Sequence, residues 1–175
     1  MIIYIYIHFD MDGVTAIWKD GKKRSHKRKF FLRRKLQKNV RDAMVILVKR
    51  GYIVGSLTAV YHDGHSKENK QTWKDRNNIP GKIIFVEYGE DKAKNLLKSK
   101  KIYHFLVDDL SNNLRAFEKY GDHFVGIKFY NGINGTKWTW KGLSISYEMS
   151  AEEMADAIER YILEVVGGKE GCYAV

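Results

Sequence analysis

Two hydrophobic periods alternate along this chain. It opens on Ile2-Ile3-Tyr4-Ile5-Tyr6-Ile7-His8-Phe9, a continuous apolar, β-branched and aromatic run that predicts a strand buried on both faces, as in a parallel sheet covered by helices. From about Leu36 the period changes. Leu36, Val40, Ala43, Met44, Leu47 and Val48 recur at helical spacing, and Gly51 is placed to end the helix. Tyr52 to Leu57 predicts a second strand with Thr58 at its end, which completes a βαβ unit. A polar stretch from His62 to Asn69 leads to a short helix over Lys70 to Arg76, ahead of the only proline, Pro80. Lys82 to Val86 predicts a third strand, Glu90 to Lys98 a helix with Ala93, Leu96 and Leu97 on its apolar side, and Ile102 to Val107 a fourth strand running into Asp108-Asp109. Ser111 is placed as the N-cap of a helix carrying Leu114, Ala116 and Phe117 before Gly121. His123 to Phe129 predicts a fifth strand, Trp138 to Tyr147 a hairpin or edge element, and Ser150 to Val166 a closing amphipathic helix. Strands alternating with helices predict an α/β fold with a doubly wound, mostly parallel, Rossmann-like sheet.

With 175 residues, 44% of them hydrophobic, the expectation is a single domain over residues 1–175. The single cysteine, Cys172, cannot form an internal disulfide, and nothing suggests an oxidising compartment or a thiol zinc site, which points to a cytoplasmic protein. The first apolar run is shorter than a membrane span, has no basic region before it and ends in acids, so it reads as part of the fold and not as a leader or anchor. The net charge of +10 is concentrated in one place. Between Lys19 and Arg41 twelve basic residues accompany the single acid Asp20, leaving 19 basic and 20 acidic residues elsewhere in a nearly neutral body. This segment, which includes Lys22, Lys23, Arg24, Lys27, Arg28 and Lys29, reads either as a solvated charged loop or as a collar that recruits anionic substrate or polyanion.

Three predicted strands deliver polar residues at their carboxyl ends: Asp10 and Asp12, Thr58, and Asp108 and Asp109. In a parallel sheet those ends share one edge, where ligands bind. Alternation points Asp10 and Asp12 the same way, and Gly13 permits a sharp turn. Carboxylates crowded in this manner call for a hard divalent cation such as Mg²⁺. With a metal and a neutralised phosphate an aspartate can attack phosphorus, and a second carboxylate two residues on can serve as acid and base. Other polar residues have plainer readings: His8 as a hydrogen-bonded core histidine, Tyr61 to His65 as a polar loop, Trp138 and Trp140 as packing on a half-buried edge.

The motifs resemble those of the haloacid dehalogenase (HAD) superfamily of phosphatases. Asp10-Met11-Asp12-Gly13-Val14 resembles its first motif, Leu57-Thr58-Ala59 its second and Val107-Asp108-Asp109 its fourth, with Lys92 in Tyr88-Gly89-Glu90-Asp91-Lys92 the choice for the third and Lys70 its competitor. The segments from Asp108 to Leu114 and from Gly126 to Gly135, followed by Trp140-Lys141-Gly142, are similar to bacterial and phage proteins grouped with the cytosolic type C 5′-nucleotidases. The resemblance implies a HAD-like fold with residues 15–38 as a minimal basic cap, leaving the site open or closed by a second copy in a homodimer. It implies a Mg²⁺-dependent phosphomonoesterase working through an aspartyl-phosphate, with nucleoside monophosphates as substrates. Asp10 is then nucleophile and metal ligand, Asp12 the acid/base whose backbone carbonyl also faces the metal, Asp108 and Asp109 further ligands, and Thr58, Lys92 and Asn113 the phosphate contacts; Asn131 is a weaker candidate for positioning loops or touching substrate. Action on nucleic-acid ends, and a nucleotide-sensing or nucleic-acid-binding protein without turnover, are the alternatives.

Overall fold

The structure, a computed structural model, describes residues 2–18, 30–134 and 140–170. Six strands form one sheet: β1 (Tyr4–Phe9), β2 (Ile53–Val60), β3 (Ile83–Glu87), β4 (Ile102–Asp108), β5 (Phe124–Tyr130) and β6 (Ser144–Ser146). Their order is β3-β2-β1-β4-β5-β6, and every pairing is parallel. The helices are α1 (Lys38–Lys49), α2 (Ser66–Arg76), α3 (Ser111–Glu118) and α4 (Ala151–Glu170). This is the doubly wound, Rossmann-like arrangement expected from the alternation of periods.

Apolar side chains cover the sheet on both faces. Met44 and Leu47 of α1 and Met154, Ile158 and Ile162 of α4 join Ile7, Phe9, Phe105 and Ile127 in one cluster, to which Trp73 of α2 belongs. Leu114 and Phe117 of α3, with Trp140, join Leu57, Val86 and Leu106 in the other. The central strands β1 and β4 therefore lie between two dry layers, and the main polar interruption in β1 is His8. His104 Nε2 donates to the Leu97 carbonyl at 2.9 Å, which leaves Nδ1 to accept from His8 Nε2 at 3.0 Å. His8 is thus a hydrogen-bonded core histidine, as expected.

Several boundaries differ from the sequence reading, each for a local reason. β2 runs to Val60, so Thr58 stands inside the strand, paired with Phe85. α2 begins at Ser66, where Asp63 Oδ1 accepts from the His65 and Ser66 backbone N–H groups, and Lys70 sits in its second turn instead of opening it. Residues 90–98 are turns, not a helix: Lys94 and Leu96 donate to the carbonyls three residues back, and Leu97 is 71% exposed. So short an apolar stripe cannot stabilise a helix without a packed face, and Leu97 does not supply one. Ser111 is the first helical residue and not the cap, its hydroxyl being taken by Lys128. Of the two forms expected for Trp138 to Tyr147, the edge element is found, as the short parallel edge strand β6; Trp138, Cys172 and the basic residues Lys22, Lys23, Arg24, Lys27, Arg28 and Lys29 lie outside the described residues. Among the described residues no helix is long and apolar enough to cross a membrane.

The histidine pair gives stability a pH dependence. Burial, with a smaller contribution from His104, pushes the His8 pKa down to about 3 from 6.5. The unfolded chain then binds the proton more tightly than the folded one, so stability is lost as pH falls below 6.5. In chemical denaturation the wild type should lose roughly 2–3 kcal/mol between pH 6.5 and 4.5 relative to a variant without this histidine. His8→Phe should lower stability at pH 7 and flatten that slope; an unchanged slope would contradict the assignment.

Candidate active site

β1 ends at Phe9, which is level with Val107 of β4 and Ser56 of β2. The next residue, Asp10, still donates its backbone N–H to the Val107 carbonyl at 2.9 Å, so its side chain emerges beside Asp108, the last residue of β4. Thr58 is two residues beyond Ser56 and stands level with the turn that carries Asp10 to Asp12. The shared edge inferred from strand order thus brings Asp10, Asp12, Thr58, Asp108 and Asp109 together.

Gly13 makes that turn possible in two ways. Its φ of +82° lies in the left-handed region, and a Cβ there would collide with the Asp109 carboxylate, 2.7 Å from the carboxyl carbon. The group that packs against the bare Cα of Gly13 is the Asp109 carboxylate. Asn131 anchors the same junction, donating to Asp109 Oδ2 at 2.9 Å and to the Gly13 carbonyl at 3.1 Å, and Asn134 also donates to Asp109 Oδ2.

Asp10, Asp108 and Asp109 are 6%, 0% and 3% exposed, and each offers an oxygen within 4.8 Å of the others. Lys92 is the cation between them, 2.9 Å from Asp10 Oδ1 and 2.6 Å from Asp108 Oδ2. Lys92 touches two of the three carboxylates and leaves the Asp109 side chain with amide donors, from Asn131 and Asn134. Burial raises the Asp10 pKa, with Asp108 adding to the rise and Lys92 opposing it. Burial, then Asp108 and Asp10, pushes Asp109 up to about 7. Burial alone would lower the Lys92 pKa, but Asp10 and Asp108 hold it above the usual lysine range. A divalent cation would supply the missing positive charge, and an all-oxygen donor set suits a hard ion. The triad can therefore hold a metal ion.

The surrounding bonds fix these side chains. Asp10 Oδ1 accepts from the Met11 N–H at 2.8 Å. Asp108 Oδ1 accepts from the Leu110 N–H at 2.8 Å, and the Asn113 amide donates to both Asp108 oxygens at 3.0 and 3.2 Å. Asn113 thus braces Asp108 here. Asp12 turns toward α2, where Lys70 Nζ lies 2.6 Å from its Oδ2 and 2.7 Å from Thr58 Oγ1. Lys128, 2% exposed, donates to the Asp109 backbone carbonyl, and burial lowers its pKa.

A cavity of about 500 Å³ opens over the site, lined by Asp10, Asp12, Lys92, Asp109, Asn113 and Asn134 and flanked by Trp18 and Tyr88. Thr58 is fully buried beside Ala59, which does line the cavity. The sequence reading did not select Lys128, Asn134, Trp18 or Tyr88. Lys128 carried a signal, a lysine inside the otherwise apolar run Ile127 to Phe129; Asn134 lay in a quoted motif without a partner to give it meaning.

No protein-family model and no curated protein matches the sequence. Among solved structures, a chain of the Pnkp1/Rnl/Hen1 complex is similar, with a TM-score of 0.57 at 14% identity over 72% of the present chain and 46% of that chain. The present chain thus spans less than half the length of that neighbour, and the likeness is one of fold: a parallel α/β sheet that fits a HAD-like architecture.

Proposed function

We propose that this protein is a Mg²⁺-dependent phosphomonoesterase of HAD type that acts through an aspartyl-phosphate on Asp10, with nucleoside monophosphates as substrates. The observation that carries this reading is the buried triad of Asp10, Asp108 and Asp109 around Lys92 at the floor of an open cavity. Its electrostatic deficit favours a cation and, through it, a phosphate. Asp10, Asp108 and Asp109, with the Asp12 backbone carbonyl, would hold Mg²⁺, whose charge would offset the triad and polarise a phosphoryl oxygen.

The chain's own groups account for the remaining steps. Asp10 is held by the Met11 N–H and Lys92, so its carboxylate is oriented before substrate arrives. Attack of an Asp10 oxygen on phosphorus breaks the bond to the leaving oxygen, which takes a proton from Asp12. A water molecule then gives its proton to Asp12 and attacks phosphorus, releasing phosphate and restoring the Asp10 carboxylate. Lys92 offsets charge on the phosphoryl oxygens. The Thr58 hydroxyl, fully buried beside Ala59, accepts from Lys70 and so helps hold that lysine on Asp12. Asn113 keeps Asp108 turned toward the metal position.

The dense basic segment between Lys19 and Arg41 favours a second reading, a phosphatase acting on nucleic-acid ends. Both readings predict Mg²⁺-dependent release of phosphate from an aryl phosphate, reduced at least about a thousandfold in Asp10→Asn. A panel of mononucleotides and end-phosphorylated oligonucleotides, with an unphosphorylated oligonucleotide as competitor, separates the two. Silence across the whole panel would sink both and leave a binding protein.

Metal binding has its own signature. The folded protein keeps the Asp109 proton up to about pH 7, whereas the unfolded chain loses it near 3.8, so metal-free stability from this group falls as pH rises through that window. Mg²⁺ at a hundred times its dissociation constant should add about 2.7 kcal/mol, or roughly 5–10 °C of melting temperature, at pH 8. Asp109→Asn should melt higher than the wild type without metal and should lose the Mg²⁺ response. A wild-type protein indifferent to Mg²⁺ would contradict the assignment of the triad.

A further inference from the structure

We infer that the two buried lysines of the site divide the work: Lys92 meets the phosphoryl group, and Lys70 is a positioning residue that holds the Asp12 carboxylate and the Thr58 hydroxyl in place. Both lysines are buried and each touches an aspartate of the first loop, so sequence alone leaves them as competitors for one role.

Their donor inventories separate them. A lysine ammonium has three N–H groups. Lys70 Nζ lies 2.6 Å from Asp12 Oδ2, 2.7 Å from Thr58 Oγ1 and 2.7 Å from the Ala59 carbonyl, which accounts for all three. It also lies 5.0 Å from the centroid of Phe31, whose ring packs edge-on against Trp73 of α2. Lys70 is therefore enclosed and saturated, and it does not line the cavity. Lys92 has two carboxylate partners, Asp10 and Asp108, and does line the cavity. Its third N–H has no partner among the described residues and can serve a phosphoryl oxygen.

The bonds to Lys70 join the two groups that must stay registered with Asp10. Asp12 is on a turn beyond the end of β1, and Thr58 is in β2; Lys70, rooted in α2, ties one to the other. Without it Asp12 can rotate out of reach of the leaving oxygen, and kcat falls while phosphate still binds. This inference rests on the phosphatase reading for its kinetic consequence, and on the bonds alone for its assignment of the phosphate-facing lysine.

The test compares Lys70→Met with Lys92→Met in the full chain with Mg²⁺. Lys70→Met should lower kcat by about ten- to a hundredfold while KM for an aryl phosphate and the dissociation constant for inorganic phosphate stay within about fivefold; Lys92→Met should weaken phosphate by at least about tenfold. Because Lys70 acts largely through Asp12, adding Lys70→Met to Asp12→Asn should cost little beyond Asp12→Asn alone. Losses that multiply, or a Lys70→Met protein that keeps kcat and loses phosphate, would overturn the assignment. If Lys70→Met fails to fold, Lys70→Gln is judged by inorganic phosphate alone: a dissociation constant within about fivefold of the wild type supports the assignment, and a loss of about tenfold or more overturns it. A wild type that binds phosphate but hydrolyses no phosphomonoester would defeat the phosphatase reading, and phosphate binding by the two variants would still decide which lysine faces it.

Discussion

Three carboxylates share a buried corner in which Lys92 is the lysine that touches them, and much of the carboxyl edge of the sheet is arranged around that crowding. Asp10, Asp108 and Asp109 come from adjacent parallel strands whose register gives them no room to separate. Burial strengthens their repulsion, because little water reaches the corner to screen it. The protein retains the crowding and surrounds it with donors: the Met11 and Leu110 N–H groups, the Asn113, Asn131 and Asn134 amides, and Lys92. Such strain is borne by the rest of the fold, where two apolar layers close the sheet on both sides.

Topology explains how so much charge comes to one place. β1 lies between β2 and β4, so a loop leaving β1 has two other strand ends as neighbours. A glycine at position 13 lets that loop fold back, and the same missing side chain admits the Asp109 carboxylate. Asn131, just past the end of β5, then ties the loop to Asp109, the residue after β4. The site is held from the backbone of four strands outward, which suits a reaction that depends on positioning and charge.

The central strands and most of the site were legible because both obey short-range rules. An apolar run ending in Asp10-Met11-Asp12-Gly13 announces a buried strand and its carboxyl end, and Thr58 and Asp108-Asp109 announce theirs. Long-range partnerships were not legible. Nothing near Lys70 in the sequence says that it reaches Asp12, 58 residues away, and nothing near Asn134 says that it reaches Asp109. The turns over residues 90–98 were hidden for a related reason. Ala93 and Leu96 are buried there as a helix would bury them, but the backbone is bent into successive turns that place Lys92 beside Asp10 and Asp108.

The central claim is that Asp10 carries the phosphoryl group. Rapid-quench turnover of a substrate labelled in its phosphoryl group, followed by proteolysis and mapping of the label, tests it directly. The account predicts a transient, hydroxylamine-labile label on the peptide containing Asp10, formed and lost at rates compatible with turnover. Phosphate release with no label on the chain at any time, or with the label on another residue, would contradict it.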